Sequence, residues 1–307
     1  IGQEHGDVVP DAAYGEDGVT VWRRPHPDRP PPEPGFEGFR ILVLGDSVLE
    51  PENLPQAEGT AMRLEGLLNQ RLSSGPFEVV NLSEGGWATV QEEAVLLREG
   101  LPLKPDLVLV GVTPNDAQRH LLRDGTILLV DYVDLEEARG GGWGSLLFRH
   151  SALVNWIWIS SKRWDFSKAA SRQDAPTVKA RVFDPLERMA GQVTGQGGRF
   201  AILCLSGIPE DRWREGPEGY DCGVSGLREW ALDAGIPLLN TVPALVGHPI
   251  PEIRMDHIHM LPRGHELLAE RVFEWLLSEG LVPAGGGGVG GSGQVRARIG
   301  ISSGGTL

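Results

Sequence analysis

A serine preceded by Gly45-Asp46, and a histidine three residues after an aspartate far down the chain, are the residues here best suited to nucleophilic chemistry. Ser47 closes the stretch FRILVLGDS; Asp256 and His259 stand in MDHIHMLPRGHELL. A serine hydroxyl attacks poorly until a base takes its proton, and histidine is the usual base near neutral pH. That base needs an acceptor to fix its tautomer and steady the imidazolium. Asp256, on a turn entering a helix, can reach back to the ring of His259. Acyl transfer also needs donors aimed at the developing oxyanion. The candidates are the backbone N–H of Ser47, the backbone N–H of Gly86 in NLSEGGWAT, and the side-chain amide of Asn115 in GVTPND. Glycine suits this task because a residue without Cβ lets backbone come close to a substrate.

The same residues admit plainer roles. Asp46 and Ser47 can turn the chain or cap a helix, Asn115 can close a side-chain turn, and Asp116 fits such a structural role. Alone, Gly-Asp-Ser favours the turn; with the other three segments it favours the nucleophile. His257 and His259 flank one residue beside Asp256, as zinc ligands can. A hydrolytic zinc site needs a third protein ligand and an open position, and His120, His248 and His265 have no companion spacing. No metal and no cofactor are expected, and His257 is read as solvent-facing or cleft-lining. Glu50, three residues after Ser47, reads as an exposed loop carboxylate. The tail segment GISSG around Ser302 matches a Gly-x-Ser-x-Gly elbow in letters only, since no acid or histidine follows it.

These segments need a scaffold to bring them together. Five short apolar runs, at 40–44, 77–81, 106–112, 199–206 and 236–240, are nearly continuous in Val, Ile and Leu, as parallel strands covered on both faces are. Helical patterns alternate with them: GTAMRLEGLLNQRL, VQEEAVLLREGL, VKARVFDPLERMAGQV, LREWALDAG and HELLAERVFEWLL, with Pro262 in a first turn. The alternation predicts an α/β, doubly wound, mostly parallel five-stranded sheet with helices on both faces. In such a sheet ligands bind beyond the carboxyl ends of the strands, where the candidate segments fall. Residues 1–38 read as an extended Pro-rich lead-in, 39–282 as the folded domain and 283–307 as a Gly-rich flexible tail. Within the domain, 117–198 is too long for one crossover and is read as a helical insertion. Its Trp143, Trp156, Trp158 and Trp164 either pack helices on the sheet or line a lid.

Composition excludes some classes. The 307 residues carry a formal charge of −14 and no basic run, which argues against a nucleic-acid partner. No apolar segment approaches the roughly 18 residues needed to span a bilayer. The chain opens at Ile1, so a removed upstream segment, such as a signal peptide or anchor, is expected. Cys204 and Cys222 make no disulfide framework and lack zinc spacing; a single bridge between them is compatible with export. Oligomeric state is not legible.

The four segments in this order resemble the SGNH hydrolases, the GDSL esterase/lipase superfamily. That family carries a Gly-Asp-Ser block, a Gly block, a Gly…Asn-Asp block and a terminal Asp-x-x-His. They correspond here to Ser47, Gly86, Asn115, and Asp256 with His259, and the match runs from about residue 40 to 277. Two departures stand out: Val48-Leu49-Glu50 follows the serine, and Thr113-Pro114 precedes Asn115. The resemblance implies a flavodoxin-like strand order. It also implies a serine esterase acting on O-acetyl or short acyl esters, carbohydrate esters among them, by way of an acyl-Ser47 intermediate. An O-acyltransferase using the same site, or a binding module without catalysis, are the alternatives. Looser likeness to a bacterial exported branch favours an extracytoplasmic location.

Overall fold

A computed structural model describes residues 30–51, 54–117, 175–205, 222–256 and 258–284, with short pieces at 13–14, 19–20, 28, 121–123 and 126–128. Five strands, β1 (Phe39–Leu44), β2 (Phe77–Asn81), β3 (Leu107–Val112), β4 (Arg199–Cys204) and β5 (Leu238–Asn240), form one sheet in the order β2-β1-β3-β4-β5. Every neighbouring pair is parallel. The α/β expectation and the strand order both hold. Two small antiparallel ladders lie outside this sheet, pairing Ala13–Tyr14 with Val19–Thr20 and Leu121–Arg123 with Thr126–Leu128.

The strands are apolar throughout because both faces are covered. Ile41 and Val43 join Leu107, Leu109, Ala201 and Leu203 in one core. Leu42 and Leu44 face the other way, with Val108, Val110, Phe200 and Ile202. This two-residue alternation leaves no polar face to present to water. Helices α1 (Thr60–Arg71) and α5 (Pro262–Ser278) cover the first core; α2 (Thr89–Val95), α3 (Asp184–Gly195) and α4 (Leu227–Asp233) cover the second.

Each helix buries the stripe its spacing predicts. In α5, Leu268, Val272 and Leu276 repeat every four residues, and in α3, Leu186, Met189 and Val193 share a face. Burying each such leucine contributes roughly 1.5–3 kcal/mol. Pro262 opens α5, and Gly280 closes it in the left-handed region at φ 64°, where Leu281 N–H can return to Leu276 C=O at 2.8 Å. Helix α2 does not run straight through its predicted length; after Val95 it loosens into a wide turn over Leu96–Gly100. A similar turn, Lys179–Phe183, precedes α3.

Strand β5 starts two residues later than the apolar run suggests. Pro237 has no N–H to donate and only accepts, from Ile202 N–H at 2.9 Å, so the ladder begins at Leu238. Cys204, at the end of β4, is disulfide-bonded to Cys222. The tryptophans at 143, 156, 158 and 164 and the expected tail after 284 lie outside the described residues.

Topology decides where a site can form. The chain leaves β1 through α1 on one face to reach β2, then returns over the opposite face through α2 to β3. The connections therefore diverge from the carboxyl end of β1, the switch point at which open α/β sheets bind their ligands.

Candidate active site

Ser47 stands at the tip of the turn that follows β1, half-buried between Asp46 and Val48, which are both buried. The turn is built by Asp46. Its backbone carbonyl accepts from Leu49 N–H at 3.1 Å and Glu50 N–H at 3.0 Å, and its Oδ1 accepts from Val48 N–H at 2.9 Å. Turn formation and the presentation of Ser47 are thus the same feature. Leu49 fills the space beneath. A Cβ added to Gly111 would stand 2.5 Å from Leu49 Cδ1 and 2.6 Å from Leu205 Cδ1, so a side chain there would push both leucines aside.

The loop after β2 is stitched to that turn. Leu82 N–H donates to Val43 C=O at 2.8 Å and Glu84 N–H to Gly45 C=O at 3.1 Å. Asn81 donates through Nδ2 to Leu49 C=O at 3.3 Å, while its Oδ1 accepts from Ser83 N–H at 3.0 Å. Gly85 N–H donates to Glu50 Oε2. Gly86 follows with φ 79°, a left-handed conformation that a side chain would resist.

Glu50 is therefore not the exposed loop carboxylate its sequence position suggests. It is 1% exposed, because the buried pair Val48-Leu49 draws the loop inward and carries the next residue with it.

After β3 comes the short helical turn Pro114–Ala117, which carries the backbone of Asn115; the Asn115 side chain lies outside the described residues. Thr113 connects this turn to the serine turn. Its Oγ1 lies 2.8 Å from Asp46 Oδ2 and 3.2 Å from Asp116 Oδ2. Asp116 Oδ2 accepts from Thr113 N–H at 2.6 Å, and its Oδ1 accepts from Thr89 Oγ1 at 3.0 Å. Thus Asp116 does have the structural role expected of it.

Beneath these turns lies a buried acidic cluster. Burial and the neighbouring Asp46 push Asp116 up to about 7, against the hydrogen bonds from Thr113 and Thr89 that favour its charge. Glu92, fully buried on α2, is held well above the carboxylate range by desolvation and then by Asp116 and Asp46. Sequence reading missed Thr113, Thr89 and Glu92. The three-residue spacing of Thr113 and Asp116 is a local signal, whereas the approach of Glu92 from α2 leaves none.

Asp256 and His259 are in direct contact. His259 Nδ1 lies 2.7 Å from Asp256 Oδ2, while Asp256 Oδ1 accepts from the N–H groups of Ile258 and His259, each at 2.7 Å. Partial burial raises the Asp256 carboxyl, but the hydrogen bonds from the His259 ring and the two amides outweigh it and leave it below the ordinary value. A charged carboxylate at Nδ1 holds the proton on that nitrogen, which puts the ring's basic lone pair on Nε2. His257 lies outside the described residues.

The dyad loop is clamped to the start of α5. Met255 N–H donates to His259 C=O at 2.9 Å and Leu261 N–H to Ile253 C=O at 3.0 Å. Gly264 sits so close to Ile253 that a Cβ there would lie 2.3 Å from its carbonyl oxygen. The first turn of α5 is in turn fastened to α1, where Thr60 Oγ1 meets His265 Nδ1 at 2.9 Å, both residues buried. Burial, and then the charge of Arg63, depress His265 to about 4, so it is a neutral structural histidine. Because α1 follows the serine turn and its first residue is the one that meets His265, this contact ties the start of α5, and the loop before it, to the segment that leaves that turn.

No family model matches this chain, and no curated protein matches it. Among solved structures, one of TesA is similar over 79% of this chain and 99% of its own, at 18% identity and TM-score 0.48. LAE5, described as an alpha/beta hydrolase from the metagenome of Lake Arreo, Spain, is similar over 80% and 97%, at 16% identity and TM-score 0.49. A catalytic mutant of Axe2, an acetylxylan esterase from Geobacillus stearothermophilus, is similar over 77% and 93%, at 15% identity and TM-score 0.46.

Proposed function

We propose that the chain is a serine ester hydrolase that cleaves O-acetyl or short acyl esters, including those on carbohydrate, through an acyl-Ser47 intermediate. The observation that carries this reading is the Asp256–His259 pair, hydrogen-bonded at 2.7 Å on a loop that the Thr60–His265 contact ties to the segment following the Ser47 turn. In the proposed reaction His259 Nε2 takes the proton of Ser47 Oγ as that oxygen attacks the acyl carbon. Asp256 holds the imidazolium through Nδ1–H. The backbone N–H groups of Ser47 and Gly86 and the side-chain amide of Asn115 receive the oxyanion. His259 then protonates the departing alkoxide, and water activated by the same ring releases the acid and restores the serine.

The test is covalent as well as kinetic. Phenylmethylsulfonyl fluoride should modify the protein once, on the peptide containing Ser47, and abolish hydrolysis of p-nitrophenyl acetate. Ser47→Ala should neither label nor turn over. An unlabelled wild type that hydrolyses no ester in a panel from acetylated polysaccharide to longer acyl chains would overturn the proposal.

A further inference from the structure

The proposed reaction leaves Glu50 without a part, although it lies inside the structure three residues from the nucleophile. Its position is fixed on its own side by Glu50 N–H, which donates to Asp46 C=O at 3.0 Å and so belongs to the turn presenting Ser47. Its carboxylate leaves that turn and accepts the N–H of Gly85, 35 residues away in sequence. The residue before Gly85 is held by the serine turn as well, through Glu84 N–H to Gly45 C=O at 3.1 Å. The residue after it is Gly86, whose N–H is one of the three proposed oxyanion donors.

Two consecutive glycines give the peptide between them the widest rotational freedom a chain offers. A Gly85–Gly86 unit without an anchor would drift relative to Ser47, and the Gly86 N–H would miss the acyl oxygen for part of the time. An acceptor on Gly85 N–H holds the Glu84–Gly85 peptide that enters the unit, and the return of Trp87 N–H to Glu84 C=O at 3.2 Å closes the turn around it. The acceptor comes from the serine turn itself, so nucleophile and donor are held in one frame.

We propose that Glu50 is a positioning residue for ester hydrolysis: by accepting the Gly85 N–H it holds the 84–87 turn against the serine turn, so that Gly86 N–H faces the oxyanion formed at Ser47. This rests on the reading of Ser47 as nucleophile. The role requires an acceptor oxygen at this place and does not require the negative charge. Charge in fact opposes an anion forming nearby, so a neutral acceptor of the same shape should serve.

The experiment compares wild type, Glu50→Ala, Glu50→Met, Glu50→Gln and Ser47→Ala on p-nitrophenyl acetate, with thermal melting of each. Loss of aim should lower kcat of Glu50→Ala and Glu50→Met by about 100-fold while KM stays within about threefold, as misplacement of a catalytic group does. Glu50→Gln should recover at least about tenfold over Glu50→Ala. Phenylmethylsulfonyl fluoride should label Ser47 in all but Ser47→Ala.

Kcat of the apolar variants within twofold of wild type, a loss carried by KM, or no recovery in Glu50→Gln would each overturn the assignment while leaving Ser47 in place. Apolar variants that fail to fold beside a folded and active Glu50→Gln would overturn it too, assigning Glu50 to loop stability. A wild type that neither labels nor hydrolyses overturns both this inference and the reading beneath it.

Discussion

Carboxyl groups near the serine turn are handled in two opposite ways. Asp256 is kept charged, on a partly exposed loop where three donors converge on it. Asp116 and Glu92 are pushed up by burial and by the neighbouring Asp46. The first arrangement suits a group that must steady an imidazolium; Asp256→Asn should lower kcat/KM by about 10²–10⁴-fold without unfolding the protein. Asn115→Ala should lower kcat by about 10²–10³-fold and leave KM nearly unchanged, because an oxyanion donor acts on the transition state. Steady-state kinetics on one ester checks both.

Asp116 makes a separate prediction about stability. The folded state holds its proton up to about 7, against an ordinary value of 3.8. A raised carboxyl contributes stability that is complete below its ordinary value and is lost as the pH rises toward 7. Asp116→Asn should therefore flatten the decline of melting temperature between pH 5 and 8, with Glu92 accounting for what slope remains. At this scale the candidate residues could be named because their types and order suit one chemistry. Glu50 was not, since its partner is a backbone N–H brought near only by the sheet.

Elements were read well where burial is two-sided and poorly where geometry intervenes. The continuous Val, Ile and Leu runs locate all five strands because no face meets water. The start of β5 depends on one missing N–H at Pro237, and the loosening after α2 on packing, which periodicity does not report. The joint between α1 and α5 was equally invisible. His265 has no partner in its own segment and finds Thr60 only after folding.

That joint is testable by acid. His265 is depressed from 6.5 to about 4, so its contribution to stability is present above 6.5 and is lost as the pH falls toward 4. This slope opposes that of Asp116 over the same window, and single substitutions separate the two. Thr60→Val, equal in shape but without the hydroxyl, should cost about 1–3 kcal/mol by leaving a buried ring nitrogen unpaired. Denaturant unfolding at neutral pH measures it.

Over the whole molecule, the described residues hold one five-stranded sheet with a core on each face beside two small ladders, and the amino-terminal approach is fastened beneath the larger sheet. Arg40 donates to the carbonyl oxygens of Glu33 and Leu103 and pairs with Glu78, tying the Pro-rich lead-in to the end of the sheet opposite Ser47. The Cys204–Cys222 bond joins the end of β4 to the segment before α4, both sulfurs in the core. Closing a loop of this size stabilises a fold by about 3 kcal/mol, so Cys222→Ser or a strong reductant should lower the melting temperature by roughly 5–10 °C. Among the described residues no helix is long and apolar enough to cross a membrane.

The contact between Thr60 and His265 spans 205 residues. A ribosome adding roughly 5–20 residues per second releases the later partner about 10–40 s after the earlier one. For that interval the nascent polypeptide carries Thr60 without its buried partner, so the joint between α1 and α5 closes only after all five strands have been made. Helix α1 therefore waits, half packed, for its last neighbour.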